Sequence, residues 1–266
     1  MKRIVLKVAY DGTGYHGYQI QDGCATIEGE LNKAICKLTK VDNVELIGGS
    51  RTDAGVHAMA NICVFDTDSS IPGDRFMFAL NQLLPDDIVV VSSCETEPDF
   101  HPRHCDSIKT YEYKIYSADL PNPLLNRYCA HTYYKLDLKR MQEAASYIVG
   151  EHDFSAFCTA GAQVDSKVRT VYECKVENAG KEDAGNTKQN TPDTFSHGEY
   201  VITVSGNGFL YNMVRIIAGT LIEAGRGHIE PEAVKDIIES KDRANAGPTA
   251  PACGLVLKEY AFCKCG

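Results

Sequence analysis

The sequence predicts an α+β protein of two ferredoxin-like halves, each of βαββαβ type with an antiparallel sheet, divided as residues 1–103 and 104–266. Three observations carry this prediction. Residues 4–10 and 107–116 alternate apolar and polar side chains, the period of a strand with one face buried. Ile27, Leu31, Ile35 and Leu38 recur at the spacing of one helix face. Over residues 1–103 such segments follow one another as strand, helix, strand, strand, helix, strand, which is the split-βαβ order.

Each element has a local reason. The Thr26 hydroxyl can cap the first helix, Glu28 and Glu30 suit its positive N-terminal end, and Lys33 and Lys37 suit its negative C-terminal end. Strands are expected at 44–47 and 56–65 on either side of a glycine-rich loop, a helix at 74–84, and a β-branched strand at 88–91. The glycine-rich, aromatic stretch 11–21 reads as a flexible surface loop. In the second half Tyr111, Tyr113 and Ile115 share one strand face, a further strand follows at 129–134, and Leu138, Met141, Ala145 and Ile148 mark a helix. Residues 168–176 and 199–204 read as strands, 209–219 as a buried helix, and 254–257 as a closing strand. Between the two middle strands, 177–198 is almost wholly polar, and its Lys, Asn, Thr and Gly content predicts disorder.

With 44% hydrophobic and 24% charged residues among 266, the composition is that of a globular protein with a buried core. No apolar run reaches the length of about 18 residues that a membrane helix needs. Met1-Lys2-Arg3 leads directly into a strand pattern, so no signal peptide is read and a cytoplasmic location is predicted. Eleven cysteines without CxxC spacing argue against a disulfide scaffold, and Cys63 and Cys174 sit in apolar runs as small hydrophobes. His101, His104 and Cys105 cluster without a second ligand pair, so no metal site is expected. The net charge of -9 opposes general phosphate binding, but the acid is concentrated. Asp86, Asp87, Glu95, Glu97 and Asp99 share a stretch without Lys or Arg, whereas Arg103, Lys109 and Arg215 lie in the chemically loaded segments.

The most loaded segment is Gly48-Gly49-Ser50-Arg51-Thr52-Asp53-Ala54-Gly55-Val56-His57-Ala58. Glycines let the chain turn sharply and let a large ligand approach the main chain. If residues 51–53 are extended, Arg51 and Asp53 point to one side, and the cation keeps the carboxylate ionised for work as nucleophile or base. The same residues also fit an ordinary Asp-Ala-Gly turn with a surface ion pair, and spacing alone does not choose. The run Arg51 to Ala58 resembles the signature of the tRNA pseudouridine synthase A family, enzymes that isomerise uridines in the anticodon arm. That resemblance implies that Asp53 is the catalytic carboxylate and that Arg51 binds substrate by holding the RNA backbone open.

The resemblance extends over nearly the whole chain outside 177–198. Where the family typically reads Gly-Trp-Gln-Arg-Gln, this chain has Tyr18 for the tryptophan and Ile20 for the arginine. Tyr111, by pattern a packed strand residue, matches the family's active-site tyrosine, with Glu112 in place of a frequent arginine. Arg215 lies inside an apolar helix, where an unpaired charge is costly, and the resemblance supplies Asp53 as its partner. Leu255 matches a leucine of the uracil pocket. The implied protein is a cofactor-independent tRNA pseudouridine synthase, a homodimer, with the flipped base held in an active-site cleft between the halves.

Overall fold

The computed structural model describes residues 1–159, 161, 164–180 and 197–262. In chain order the elements are β1 (Lys2–Tyr10), α1 (Ile27–Thr39), β2 (Ile47–Gly48), β3 (His57–Thr67), α2 (Phe76–Leu80), β4 (Ile88–Thr96), β5 (Ser107–Ser117), β6 (Ala130–Thr132), α3 (Leu138–Ser146), β7 (Gly150–Asp153), β8 (Val168–Asn178), β9 (Gly198–Gly206), α4 (Met213–Gly225), α5 (Ala233–Ser240) and β10 (Leu255–Phe262). The class is α+β with mostly antiparallel strands. Two units are distinguished, one of Met1–Ile108 with the chain from Val256 onward, the other of Lys109–Leu255. The division expected at 103/104 therefore falls after Ile108, and the last strand belongs to the first unit, because β10 pairs in parallel with β3 through Val256↔His57 and Leu257↔Ala58.

In the first unit β1 buries Ile4, Leu6, Val8 and Tyr10 and pairs antiparallel with β3 on one side and β4 on the other. Helix α1 starts where the Thr26 side chain accepts from Gly29 N and ends at Lys40 in the left-handed region, φ 59°; Ile27, Leu31, Ala34 and Ile35 face the core. The strand expected at 44–47 shrinks to β2, which pairs with β3 only at Ile47↔Val64 and Gly48↔Cys63. Val44 instead accepts a hydrogen bond at its carbonyl from Asn32 Nδ2 (2.7 Å). One edge of β3 is thus shared, β2 near its C-terminal half and β10 at its start. The helix expected at 74–84 is a 3-10 turn, Gly73–Arg75, followed by the short α2.

In the second unit the strand order is β5-β9-β8-β7, antiparallel throughout, with β6 parallel to β5. Tyr111, Tyr113 and Ile115 are buried along β5 as their alternation requires. The expected strand at 129–134 is confined to β6. Helix α3 is capped by Asp137, whose side chain accepts from Lys139 N and Arg140 N. The ends of the polar segment 177–198 are ordered: Glu177 pairs with Val201 and Asn178 with Tyr200, the ladder overriding composition. Residues 181–196 lie outside the described residues. Helix α4 begins at Met213, because Asn212 takes φ 61° and cannot continue a right-handed helix; β7 and α5 carried no sequence expectation.

Cys63 and Cys174 are buried and in no disulfide, and burial pushes both thiols up to about 12. Among the described residues no helix is long and apolar enough to cross a membrane.

Arg3 ties three chain segments of the first unit. Its Nε and Nη2 grip the Asp66 carboxylate at 2.8 and 2.6 Å across the β1/β3 ladder, and Nη1 donates to Phe100 O at 3.0 Å. The hydrogen bond from Arg3 holds the Asp66 carboxyl below its usual value, against the opposing effect of burial. A depressed folded-state pKa stabilises above the unfolded value and is lost as pH falls through the carboxylate range. Asp66→Asn should lower stability by about 1 kcal/mol at pH 7, with the deficit shrinking below about pH 4. Denaturant melts at both pH values measure this, and an equal deficit at both would assign the effect to packing.

Candidate active site

The loop between β2 and β3 leaves the ladder after Gly49, whose N–H donates to Ile62 O (2.7 Å). Thr52 is buried, Arg51 is exposed and Asp53 is half-buried, so the two charged side chains lie on the outward side of the segment. A buried network holds it from beneath. Asn61 on β3, 0% exposed, donates through Nδ2 to Ser50 O (2.9 Å) and to the Tyr10 hydroxyl (3.1 Å). That oxygen lies 2.7 Å from Thr52 Oγ1, a hydrogen bond in which either hydroxyl can be the donor. Asn61 Oδ1 accepts from Ile62 N (2.9 Å), which completes its hydrogen bonding.

From the side, the loop rests on residues 12–18. Tyr18 N donates to Thr52 O (3.0 Å) and Gly55 N to Tyr15 O (3.3 Å). A Cβ on Gly17, at φ 91°, would stand 2.6 Å from Thr52 O, and one on Gly12 would stand 2.0 Å from Val56 O. Gly12 N also donates to His57 Nδ1 (3.1 Å). The stretch 11–21, expected to be a flexible surface loop, is thus packed backbone to backbone against the segment that carries Asp53.

A cleft of about 40 Å³ beside this loop is lined by Tyr18, Gln19, Glu28, Gly48, Arg51 and Arg103. Two guanidinium groups face one carboxylate there, an excess of positive charge that the net charge conceals. The Tyr18 ring fills the space over Gly48, where a Cβ would come within 2.4 Å of it. Its buried hydroxyl has no oxygen or nitrogen partner among the described residues and neighbours the Cys63 thiol, and burial holds its pKa well above the ordinary value. Ile20, at the position of the family's arginine, is half exposed, and its backbone N–H is taken by Glu28 Oε2 (2.9 Å).

The remaining residues belong to the second unit. Tyr111 lies opposite Val204 and is buried, edge-to-face against Phe209 at 5.1 Å and 84°. Arg215 projects from the first turn of α4, with Nε donating to Ala250 O (2.8 Å) and Nη1 to Asn212 Oδ1 (2.8 Å). Segment 248–250 crosses α4 closely: a Cβ on Gly219 would meet Pro248 O at 1.8 Å, and Ala250 N donates to Arg215 O (3.1 Å). Its continuation accepts the Tyr113 hydroxyl at Pro251 O (2.8 Å), presses Gly254 onto the Tyr113 ring, and ends in buried Leu255. Burial raises the Tyr113 pKa well above its ordinary value, while the charge of Arg215 acts in the opposite direction.

Arg51 and Asp53 therefore share one loop of the first unit, while Tyr111, Arg215 and Leu255 lie in the second. Tyr10, Asn61 and Asn212 were not anticipated. Asn61 was signalled as a lone amide inside the apolar run 60–65; Asn212 carried no spacing signal, and only its backbone angle singles it out.

Tyr10→Phe and Thr52→Val both break the Tyr10–Thr52 hydrogen bond, and each should cost about 1 kcal/mol, the net worth of such a bond. The double variant should cost less than the sum. Urea melts of the four proteins read the coupling; additive losses would show that the network does not act as a unit.

Comparison with known proteins gives a consistent picture. Residues 7–104 and 144–262 match the family described as tRNA pseudouridine synthase. The chain is 45% identical over 262 residues to the tRNA pseudouridine synthase A of Acetivibrio thermocellus, covering 98% of this chain and 100% of that one. Similarity to the protein of that name from Ruminiclostridium cellulolyticum is 46% over 262 residues, with the same coverage, and to that from Brevibacillus brevis 42%, again over 98% and 100%. Family match and full-length identity, on a chain whose Arg51 to Ala58 segment forms a braced loop and the start of β3, lead to one conclusion: the chain belongs to the tRNA pseudouridine synthase family.

Proposed function

We propose that this protein isomerises uridine to pseudouridine in the anticodon stem-loop of tRNA, without a cofactor. The observation that carries the reading is the Asp53 loop, braced by Asn61, Tyr10 and Thr52 so that its two charged side chains lie outward. The reaction breaks the bond between uracil N1 and ribose C1′, turns the base and joins C5 to C1′; the C5 proton leaves and N1 gains one. A stacked base is out of reach, so the uridine is flipped out of the helix. Asp53 is the reacting carboxylate, at the sugar or at the base. Arg215 is the cation that orients it by a charge-assisted hydrogen bond, Tyr111 stacks on the uracil and moves a proton through its hydroxyl, and Leu255 lines the pocket. Arg51 holds the RNA backbone, in keeping with the positive cleft it lines.

The chain order β1-α1-β2-β3-α2-β4 supports a ferredoxin-like first half, and β5-α3-β8-β9-α4-β10 has the same rhythm with β6, β7 and α5 as additions. The same reading makes the enzyme a cytoplasmic homodimer with tRNA as its partner.

Tritium release from unmodified tRNA labelled at uridine C5 tests the activity directly, because that hydrogen leaves. Asp53→Asn should fold and bind tRNA as the parent does while release falls at least about 10³-fold. An active Asp53→Asn enzyme would overturn the assignment. Tyr111→Phe should keep tRNA affinity and lower turnover by about 10²-fold, and unchanged turnover would leave Tyr111 as a packing residue only.

A further inference from the structure

We propose that Asn212 is a positioning residue for Arg215, and that Thr159 anchors the other end of its amide. The inference rests on the reading that Arg215 serves the isomerisation.

Asn212 occupies the cap position of α4, where an asparagine side chain commonly accepts from a free N–H of the first turn. It makes no such bond. Its amide runs sideways instead: Oδ1 accepts from Arg215 Nη1 at 2.8 Å, and Nδ2 donates to Thr159 Oγ1 at 3.0 Å. The backbone at φ 61° places the side chain for both contacts, and asparagine tolerates that conformation better than most residues.

The direction of the amide matters. Turned by half a rotation, its NH₂ would face a guanidinium that can only donate. The donor-only guanidinium thus selects the orientation, Thr159 Oγ1 anchors the amide in it by accepting from Nδ2, and Thr159 is itself tied to the chain beside Asn212 through its N–H to Tyr211 O (3.2 Å). With Nε on Ala250 O and Nη1 on Asn212 Oδ1, anchors at two nitrogens define the plane of the guanidinium. Because that group is rigid and planar, they set the direction of all its N–H bonds before substrate arrives.

A purely structural role is the rival, since an asparagine could stand here only for its backbone angle. Asn212→Gly separates the two, keeping access to positive φ while removing the amide. Positioning predicts a single-turnover rate of C5 tritium release reduced about tenfold or more, with tRNA affinity and melting temperature close to the parent's. Thr159→Val should lower the rate by a smaller factor, and Thr159→Ser, which restores the hydroxyl, should recover it. Parent-like rates in Asn212→Gly overturn the inference. If that variant does not fold, the Thr159 pair decides, and a parent rate in Thr159→Val overturns it equally. Arg215→Met, measured alongside, keeps the two claims apart. An inactive Arg215→Met beside a fully active Asn212→Gly rejects the brace alone, whereas an active Arg215→Met rejects the role of Arg215 on which the brace rests.

Discussion

The backbone of residues 52–56 lies against Gly12 and Gly17 so closely that neither position has room for a Cβ, and much of the first unit follows from that contact. It brings the end of β1, the turn after it and the start of β3 around one short irregular segment. Irregular backbone in a buried place must find partners for its polar groups, and here they come from Tyr18 N, Tyr15 O and the Asn61 amide. The segment is therefore held by groups that leave the outward face to Arg51 and Asp53. Position is set by backbone contact and buried hydrogen bonds, while the carboxylate itself stays half accessible.

The second unit solves a related problem with similar means. Gly219 lets the 248–250 segment lie on α4, and a carbonyl of that segment grips Arg215. In each unit an asparagine completes the brace, Asn61 between Ser50, Tyr10 and Ile62, Asn212 between Arg215 and Thr159. An amide carries donor and acceptor in one rigid plane without charge, so it can cross-link unlike groups at a desolvation cost below that of an ion. Preorganisation of this kind matters most where charge develops in a reaction.

Electrostatics follow the same local logic. The net charge of -9 includes acids that are engaged within the fold. Asp66 is held by Arg3, Glu95 by Lys2 at 2.9 Å, and Asp87 by the Tyr15 hydroxyl at 2.6 Å. In the cleft beside the Asp53 loop the lining carries Arg51 and Arg103 against Glu28. A polyanionic partner meets this local field, screened over about 8 Å at physiological salt, rather than the sum.

Much of the framework was legible in the residues. Alternation marked β1 and β5, Thr26 and the spacing from Ile27 marked α1, and the glycines around Arg51 to Asp53 marked a loop between strands. These signals are local, arising from side-chain period and backbone freedom within a few residues. The tertiary structure decided what depends on competition between distant segments. The strand expected from Val44 shrank to β2, with the Val44 carbonyl taken by the Asn32 amide of α1, and β8 and β9 lengthened into polar sequence because each offered the other a ladder. The braces, too, belong to the folded state: Tyr10, Asn61 and Thr52 meet across up to 51 positions, and Arg215 meets Ala250 across 35. No local period encodes such meetings, because they depend on which distant polar groups the fold removes from water together.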